Sequence, residues 1–278
     1  MIVTQHNDNR RSGANLGETI LKPANVNGRG FGKLFELPIV GSAYAQPLFV
    51  PRVRMREGTH NVLYVATMHN QVTAFDADLL QAPLWRRHLA PSIELPDPQI
   101  GGPGVYRDIE WEVGILSTPV IDTVRQAIYV VATSKQPNDG SIIHQIFMLD
   151  LATGNDRRPP VIIKGNAGRA VFVSHKQDQR SALLLSQNKV YVAFASYGDS
   201  QPYNGWVFSF DADTLAPVGT FCCSPQPGGD QGEGGIWMSG QGPATDDNGN
   251  LYLMTGNGDF NAGLGNFGDC VLKLGLGA

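Results

Sequence analysis

The sequence predicts an all-β protein assembled from repeated antiparallel sheets, and three observations support this prediction. Short runs rich in Val, Ile, Tyr and Phe alternate with polar turns along the chain, as in β-meanders. Glycine and proline are abundant, with 33 and 18 copies among 278 residues, whereas helix-rich proteins show the reverse balance. The apolar runs also recur at a regular spacing, which indicates internal repeats.

The repeat is clearest around one tyrosine in each unit. These tyrosines follow one another at intervals of 65, 62 and 61 residues, and they are Tyr64, Tyr129, Tyr191 and Tyr252. A second apolar run follows each tyrosine and ends at an aspartate in three of the units. The residues at that place are Asp76, Asp150, Asp211 and, in the fourth unit, Lys273. The recurrence predicts four copies of one supersecondary unit.

Each unit is predicted to contain four strands. The tyrosine run is the second strand and the aspartate run the third, with a short apolar segment before them and an outer segment after them. Repeated four-stranded antiparallel units of this kind are typical of β-propeller blades. We therefore predict a β-propeller with about four blades in this chain. The predicted blade units cover approximately 44–89, 117–165, 181–222 and 241–274.

The two ends of the chain leave the total number of blades open. We expect an N-terminal extension over residues 1–30 and a propeller domain over residues 31–278, with FGKLFELP (31–38) as an extra outer strand. The last predicted strand, 270–274, has no outer strand after it. Either the strand at 31–38 closes a four-bladed ring, or the chain is an incomplete propeller, which is the arrangement we expect. An incomplete propeller would leave the last strand at an exposed sheet edge.

Charge and composition exclude several classes of partner. The net charge is −4, so a concentrated basic surface for nucleic acid is not expected. No apolar run reaches the length of a membrane-spanning helix, and Met1–Arg11 lacks the pattern of a signal peptide. The three cysteines, two of them the neighbours Cys222 and Cys223, are too few for a disulfide scaffold.

Long segments of the chain resemble bacterial PQQ-type (pyrroloquinoline-quinone-type) β-propeller repeat proteins. The segments that carry the resemblance are QHNDNRRSGANLGETIL (5–21), FGKLFELPIVGSAYAQPLFVP (31–51), GTHNVLYVATMHNQVTAFDAD (58–78), EVGILSTPVID (112–122), PYNGWVFSFDADTL (202–215), GGIWMSGQGPATDDNGNLYLMTGNGDFN (234–261) and FGDCVLKL (267–274). The resemblance implies the fold and a periplasmic or secreted location more than a particular activity. The chain departs from the family in one respect, because the blade signature with a docking tryptophan is approximated only around Asp76 and Trp85.

Loop lengths predict which face of the propeller carries a site. Links from an outer strand to the next inner strand, such as 90–116 and 223–241, and links between second and third strands, such as 256–269, lie on the same face. Both kinds are long here, and loops of more than about 12 residues are usually functional or disordered. We call this the long-loop face and expect an unknown protein or small-molecule ligand to bind there.

The resemblance also implies PQQ and calcium as possible cofactors. On the long-loop face, the residues expected to bind the quinone are Trp237, Arg180, Gln46 and His69, and the calcium ligands would be Glu112, Asn257 and Asp259. An aromatic ring can stack on the quinone, a guanidinium can pair with its carboxylates, and carboxylate or amide oxygens suit Ca²⁺. The alternative is structural: the tryptophan packs between blades, and buried polar residues satisfy one another.

Two functions therefore remain open from the sequence. The first is a binding or scaffolding platform that acts through the long-loop face without independent catalysis. The second is a fragment of a PQQ- and calcium-dependent quinoprotein dehydrogenase, which would make the chain part of an oxidoreductase. The single docking tryptophan favours the first hypothesis, because the enzymes need one in most blades.

Overall fold

The structure, a computed structural model, describes residues 1–101, 106, 108–226 and 232–275. Within these residues there is no α-helix, and the only helical element is a 3₁₀ turn at Ser174–Lys176. No helix in this part of the chain has the length and apolar character needed to cross a membrane. The prediction of an all-β fold without membrane-spanning helices is confirmed. The predicted links over 90–116 and 223–241, and the end of the domain at 278, include residues outside the described ranges.

The first sheet is a four-stranded antiparallel meander in the order β1-β2-β3-β4. Tyr64 lies at its centre, opposite Leu48 on one neighbouring strand and Ala74 on the other. A short separate strand pair follows the sheet and contains Glu112. The strands are β1 (Leu48–Met55), β2 (Gly58–Thr67), β3 (Gln71–Asp76) and β4 (Trp85–His88), and the separate pair is β5 (Ile93–Glu94) with β6 (Glu112–Val113).

The second sheet repeats this arrangement in the order β10-β9-β8-β7. Tyr129 takes the place of Tyr64, opposite Val120 and Met148. A small strand pair again follows the outer strand. The strands are β7 (Val120–Asp122), β8 (Ala127–Lys135), β9 (Ile142–Asp150) and β10 (Val161–Ile162), and the pair is β11 (Asn166–Ala167) with β12 (Ala170–Val171).

The third sheet has the same meander with one additional short strand. Its long second strand pairs with β14 near one end and with β13 near the other. The strands are β13 (Gln177–Asp178), β14 (Leu184–Ser186), β15 (Lys189–Ser196), β16 (Trp206–Asp211) and β17 (Pro217–Cys222).

The fourth sheet has three strands among the described residues, in the order β18-β19-β22. A hairpin, β20-β21, occupies the long link between its second and third strands. The strands are β18 (Ala244–Thr245), β19 (Leu251–Met254), β20 (Phe260–Asn261), β21 (Asn266–Phe267) and β22 (Val271–Leu274).

Residues 31–38 do not form the outer strand that the sequence predicts. They carry no β-pairing in the structure, and most of their side chains are exposed or half-buried. Strand β22 therefore has a neighbour on one side only, and no strand pairing in the described part of the chain joins the fourth sheet to the first. Residues 31–38 resemble an outer strand in sequence, but a strand also requires a partner edge.

The repeated residues join consecutive sheets. The hydroxyl of Tyr64 donates to the carbonyl oxygen of Leu151 at 2.9 Å, and the hydroxyl of Tyr129 donates to that of Ala212 at 2.5 Å. Each acceptor directly follows the repeated aspartate of the next sheet. That aspartate ends its strand in an Asx turn; for example, Asp211 Oδ1 accepts from the backbone N–H groups of residues 213 and 214. The tyrosine and the aspartate therefore recur because they form one inter-sheet contact.

Apolar side chains fill the space between successive sheets. One cluster includes Tyr64 of the first sheet and Val130 of the second, and another includes Tyr129 of the second and Val192 of the third. A smaller cluster joins the third sheet to Leu253 of the fourth. Alternate residues of each strand point to opposite faces, so each inner sheet contributes to two clusters. The sheets are thus stacked face to face in sequence order, as blades are.

The N-terminal segment, residues 2–11, contacts the innermost strands or the loops before them in all four sheets. The backbones of Ile2 and Phe49 exchange two hydrogen bonds of 2.8 Å, and Val3 accepts one from the N–H of Ile121. Asn9 bonds to the backbone of Leu185 and accepts from the N–H of Thr245. The expected extension over residues 1–30 therefore begins with a segment that is packed into the sheet assembly.

Arg11 fixes the end of the N-terminal segment between the third and fourth sheets. Its guanidinium donates to the carbonyl oxygens of Leu183 and Pro243, each at 3.0 Å, and to the hydroxyl of Thr4 at 2.6 Å. Burial lowers the pKa of Arg11 to about 10. Backbone carbonyl oxygens, rather than a carboxylate, therefore hold the Arg11 guanidinium.

Candidate functional site

Loops that precede the first strands of all four sheets meet around one small cavity of about 60 Å³, the inter-sheet cavity. Each sheet contributes at least one residue to its wall, and Arg180 contributes the charged group. The lining residues are Tyr44, Leu116, Thr118, Arg180, Gly240 and Gln241. Because these loops are the links between outer and inner strands, the cavity opens on the predicted long-loop face.

A chain of hydrogen bonds connects the cavity to the N-terminal segment. The backbone N–H of Gln46 donates to Thr118 Oγ1, which in turn donates to Gln5 Oε1, both at 2.9 Å. Gln5 Nε2 then donates to the carbonyl oxygen of Gly240 at 2.9 Å. The side chain of Gln46 accepts from the N–H of His6. Gln46 therefore supports the cavity through the N-terminal segment, and its side-chain oxygen is already used.

A buried carboxyl group, that of Asp178, is electrostatically coupled to the charge beside the cavity. Asp178 lies two residues before Arg180, and its side chain is buried. Burial raises the pKa of Asp178 to about 7, although the charge of Arg180 acts in the opposite direction. Asp108 raises the same pKa by like-charge repulsion. Near neutral pH this carboxyl group is partly protonated, so it does not fully neutralise the guanidinium.

His69 and Glu112 form a separate pair on the same side of the molecule. His69 Nδ1 lies 2.9 Å from Glu112 Oε2, and the hydroxyl of Ser92 donates to the same oxygen at 2.5 Å. A Cβ atom at Gly41 would lie 2.8 Å from Glu112 Oε1 and from His69 Cβ, so only glycine fits this crossing of the chain. Glu112 is a predicted calcium ligand, and in the structure its carboxylate contacts His69 and Ser92.

Trp237 lies flat on a floor of backbone. A Cβ atom added at Gly235 would lie 2.7 Å from the indole ring of Trp237, and one added at Gly256 would lie 2.5 Å from it. The two glycines therefore leave space for the ring. The ring of Tyr203 contacts Trp237 in a T-shaped arrangement, with centroids 5.8 Å apart. The carbonyl oxygen of Asn257 accepts from the N–H of Gly234 on the same floor. Trp237 is half-buried, which fits either a packing role or a stacking platform.

Asp259 immediately precedes strand β20 of the hairpin. Its Oδ2 accepts a hydrogen bond of 3.0 Å from Asn266 Nδ2, and its side chain is exposed. No contact in the described part of the chain joins Glu112 to Asn257 or Asp259. Among the described residues, no three His, Cys, Asp or Glu side chains form a group that could hold a metal ion. The calcium assignment of these residues therefore stays a prediction.

The predicted site residues thus fall into three places. Arg180 lines the inter-sheet cavity with Gln46 behind it, His69 pairs with Glu112, and Trp237 lies with Asn257. Sequence reasoning missed Tyr44, Thr118 and Gln5, although the first two lie at the starts of the predicted inner strands. Asp178 was also missed because nothing in its local pattern reveals that it is buried. Cys222 and Cys223 are both buried and unbridged, and burial raises the pKa of each thiol.

Two solved structures of much longer proteins are similar to the chain, and the first of them shows the shared fold. One is the quinohemoprotein alcohol dehydrogenase ADHIIG from Pseudomonas putida HK5, with a TM-score of 0.58 and 18% sequence identity over 93% of this chain and 34% of that one. Another is the quinohemoprotein alcohol dehydrogenase from Comamonas testosteroni, with a TM-score of 0.49 and 16% identity over 78% of this chain and 30% of that one. The chain therefore spans about a third of the length of these proteins. No protein-family model and no curated protein matches it.

Proposed function

We propose that this chain is a β-propeller-type binding module that holds one anionic group of a small ligand in the inter-sheet cavity. The observation that carries the proposal is that Arg180 lines a cavity whose wall comes from all four sheets. Sites for whole small molecules usually measure about 300–1,000 Å³, so a cavity of about 60 Å³ fits a single group such as a carboxylate. The rest of the ligand would lie on the long-loop face.

The neighbouring groups suit an anion. Tyr44, Thr118 and Gln241 add polar atoms to the cavity wall, and the raised pKa of Asp178 leaves part of the Arg180 charge uncompensated. A guanidinium pairs with a carboxylate through two parallel hydrogen bonds, which gives orientation as well as affinity. In this proposal the chain binds and presents its ligand without independent catalysis, in the periplasmic or secreted location that the family resemblance implies.

Binding of a tricarboxylate tests this proposal. Benzene-1,3,5-tricarboxylate should bind to the full chain in a calorimetric titration, and Arg180→Gln should weaken binding by about tenfold or more because a charge-assisted pair is lost. Arg169→Gln, an exposed site with the same change of charge, serves as the control and should bind as the unsubstituted chain does. Equal affinities for the Arg180 and Arg169 variants, or no binding at all, would contradict the proposal.

The second candidate function is a portion of a PQQ-dependent dehydrogenase. The arrangement of Trp237 favours it, since Gly235 and Gly256 hold the indole flat and half-buried, as a stacking platform requires. The fold shared with a quinohemoprotein alcohol dehydrogenase also supports it. Trp237 and Arg180 suit the rings and carboxylates of the quinone, which would supply the two-electron redox chemistry. Among the described residues no three His, Cys, Asp or Glu side chains group as metal ligands, so we derive no step that depends on calcium.

Adding PQQ with and without Ca²⁺ to the purified chain separates the two candidates. The quinone hypothesis predicts a tightly bound quinone absorbance, which Trp237→Ala should abolish through lost stacking. Trp111→Ala is the control, because that side chain is largely exposed. If PQQ binds no better than benzene-1,3,5-tricarboxylate, or if Trp237→Ala leaves its affinity unchanged, the quinone hypothesis is wrong and the binding-module proposal stands alone.

A further inference from the structure

Two histidine rings lie beside each other at the end of the first sheet that carries the long loops. The ring centroids of His69 and His88 are 5.3 Å apart, and the ring planes make an angle of 35°. His69 belongs to the turn between β2 and β3, and His88 is the last residue of β4. The two rings therefore come from different elements, and the sheet brings them together.

The form of the turn explains why the two rings meet. The turn between β2 and β3 has three residues, 68–70, and its last residue, Asn70, is left-handed with φ of +51°. Three-residue hairpin turns commonly end in this conformation, and asparagine adopts it more readily than most residues. The first residue after the turn, Gln71, is paired with His88 on β4. His69 therefore lies close to the end of that strand.

Other segments of the chain hold this turn in place. The side chain of Asn70 is buried, and its amide donates to the carbonyl oxygen of Thr133 in the second sheet at 2.7 Å. The backbone N–H of Met68 donates to the carbonyl oxygen of Ser42 at 2.9 Å. A ligand-binding side chain on a fixed backbone loses less freedom when it binds. The position of His69 is therefore suited to a binding role.

Glu112 orients the ring of His69. Its Oε2 accepts a hydrogen bond of 2.9 Å from Nδ1 of His69 and a second one from the hydroxyl of Ser92. A neutral imidazole with its proton on Nδ1 has its lone pair on Nε2. Among the described residues, no group is hydrogen-bonded to Nε2 of His69 or to the ring of His88. Solvent reaches both rings, since the His69 side chain is 40% exposed and His88 is exposed.

A carboxylate behind a histidine is typical of metal sites in proteins. Metal-binding histidines almost always donate their other ring N–H to a carboxylate, a carbonyl or water, which fixes the tautomer and the direction of the ring. Zinc–nitrogen bonds measure about 2.0–2.1 Å, so two imidazoles on one tetrahedral zinc ion have ring centroids about 5 Å apart. The separation of 5.3 Å between His69 and His88 is close to this value.

We propose that His69 and His88 bind one Zn²⁺ or a similar divalent transition-metal ion, with Glu112 as the residue that positions His69. Imidazole nitrogens suit zinc, copper and nickel, whereas Ca²⁺ prefers oxygen ligands. Two protein ligands leave the other positions of a tetrahedral ion to water or to a donor atom of a bound molecule. The proposal is independent of the anion site, because neither histidine lines the inter-sheet cavity.

Calorimetric titration of the full chain with Zn²⁺ tests the site. A Cys270→Ser background removes the half-buried thiol, which could also bind zinc. We expect Zn²⁺ to bind, and His88→Gln should weaken binding by about tenfold or more because a coordinate bond is lost. His175→Gln is the matched control, since it removes one imidazole from the 3₁₀ turn and should leave the affinity unchanged. Equal affinities for the two variants, or no binding of Zn²⁺, would overturn the proposal.

Cu²⁺ in place of Zn²⁺ separates the ligands from the positioning residue. The paramagnetic resonance spectrum of the bound ion should show two imidazole nitrogens in the unsubstituted chain and one in His88→Gln. Glu112→Gln should retain both nitrogens while the affinity falls by about 10–100-fold, as for other residues that orient a metal ligand. An unchanged affinity in Glu112→Gln would contradict the positioning role. Displacement of Zn²⁺ by excess Ca²⁺ would show oxygen ligands instead and would overturn the histidine site.

Discussion

The hydroxyl of Thr118 donates a hydrogen bond of 2.9 Å to the side-chain oxygen of Gln5, across 113 residues of sequence. Thr118 lies in the loop before the second sheet, and Gln5 belongs to the N-terminal segment. Gln5 also donates to Gly240, before the fourth sheet. One buried amide therefore holds together two walls of the inter-sheet cavity.

We expect Gln5→Ala to destabilise the protein. The change leaves the buried hydroxyl of Thr118 without its acceptor and also removes the bond to the carbonyl oxygen of Gly240, which together cost about 1–3 kcal/mol of the free energy of unfolding. Denaturant unfolding would measure the loss. Gln81→Ala, at an exposed position, should change stability far less, and an equal loss in both variants would show that the cavity contact is unimportant.

Two tyrosines at the same place in the repeat should respond differently to loss of the hydroxyl. Tyr129→Phe removes the hydrogen bond to Ala212 and should cost about 1 kcal/mol of unfolding free energy. Tyr191→Phe removes a buried hydroxyl that has no partner among the described residues, so it should be neutral or stabilising. Thermal and denaturant unfolding of both variants would check this difference. A larger cost for Tyr191→Phe would contradict it.

Gly154→Ala should be much more damaging than Gly140→Ala. Both glycines have a left-handed backbone, with φ of +70° and +69°, so the conformational strain of the substitution is shared. A Cβ atom at residue 154 would lie 2.6 Å from the ring of Trp85, whereas nothing lies within 4 Å at residue 140. The difference in unfolding free energy isolates the steric clash, for which we expect about 1–3 kcal/mol. Equal losses would mean that Trp85 moves aside freely.

The buried carboxyl group of Asp178 should make stability depend on pH. Its pKa is raised from 3.8 to about 7, so between these values the folded chain binds the proton more strongly than the unfolded chain. This contribution to stability is present at acid pH and is lost as the pH rises through that range. Asp178→Asn should therefore flatten the fall in unfolding free energy between about pH 4 and pH 7, measured by denaturant unfolding. Glu57→Gln, at an exposed site, should retain the full slope.

The sequence predicted the sheets well because their repeat is a contact pattern. Tyr64 and Asp150 recur since a tyrosine of one sheet bonds beside the aspartate turn of the next, and such a requirement leaves a periodic trace. The observed sheets span 48–88, 120–162, 177–222 and 244–274. Residues 31–38 show where the local sequence is insufficient to predict a strand. A strand forms only if the edge of another strand is free to pair with it, and the local sequence contains no information about that edge.

The site was predicted in outline but not in its contacts. Loop length placed Arg180 on the long-loop face, and the structure puts it with residues from all four sheets. The role of Gln5 and the pairing of Glu112 with His69 depend on which distant loops touch, and a single sequence contains no signal for that. Burial of Asp178 is equally a property of the assembled sheets.

The N-terminal segment also affects the order in which the chain folds during synthesis. Arg11 leaves the ribosome early, yet one of its carbonyl partners, Pro243, is synthesised 232 residues later. Until Pro243 is synthesised, the Arg11 guanidinium lacks one of its acceptors. The first three sheets are therefore synthesised before the N-terminal segment can make all of its contacts. Because contacts of high sequence separation form slowly, complete docking of residues 2–11 should be among the last events of folding. A chain truncated before the fourth sheet would keep the contacts of this segment with the first three sheets but would lack those with Pro243 and Thr245.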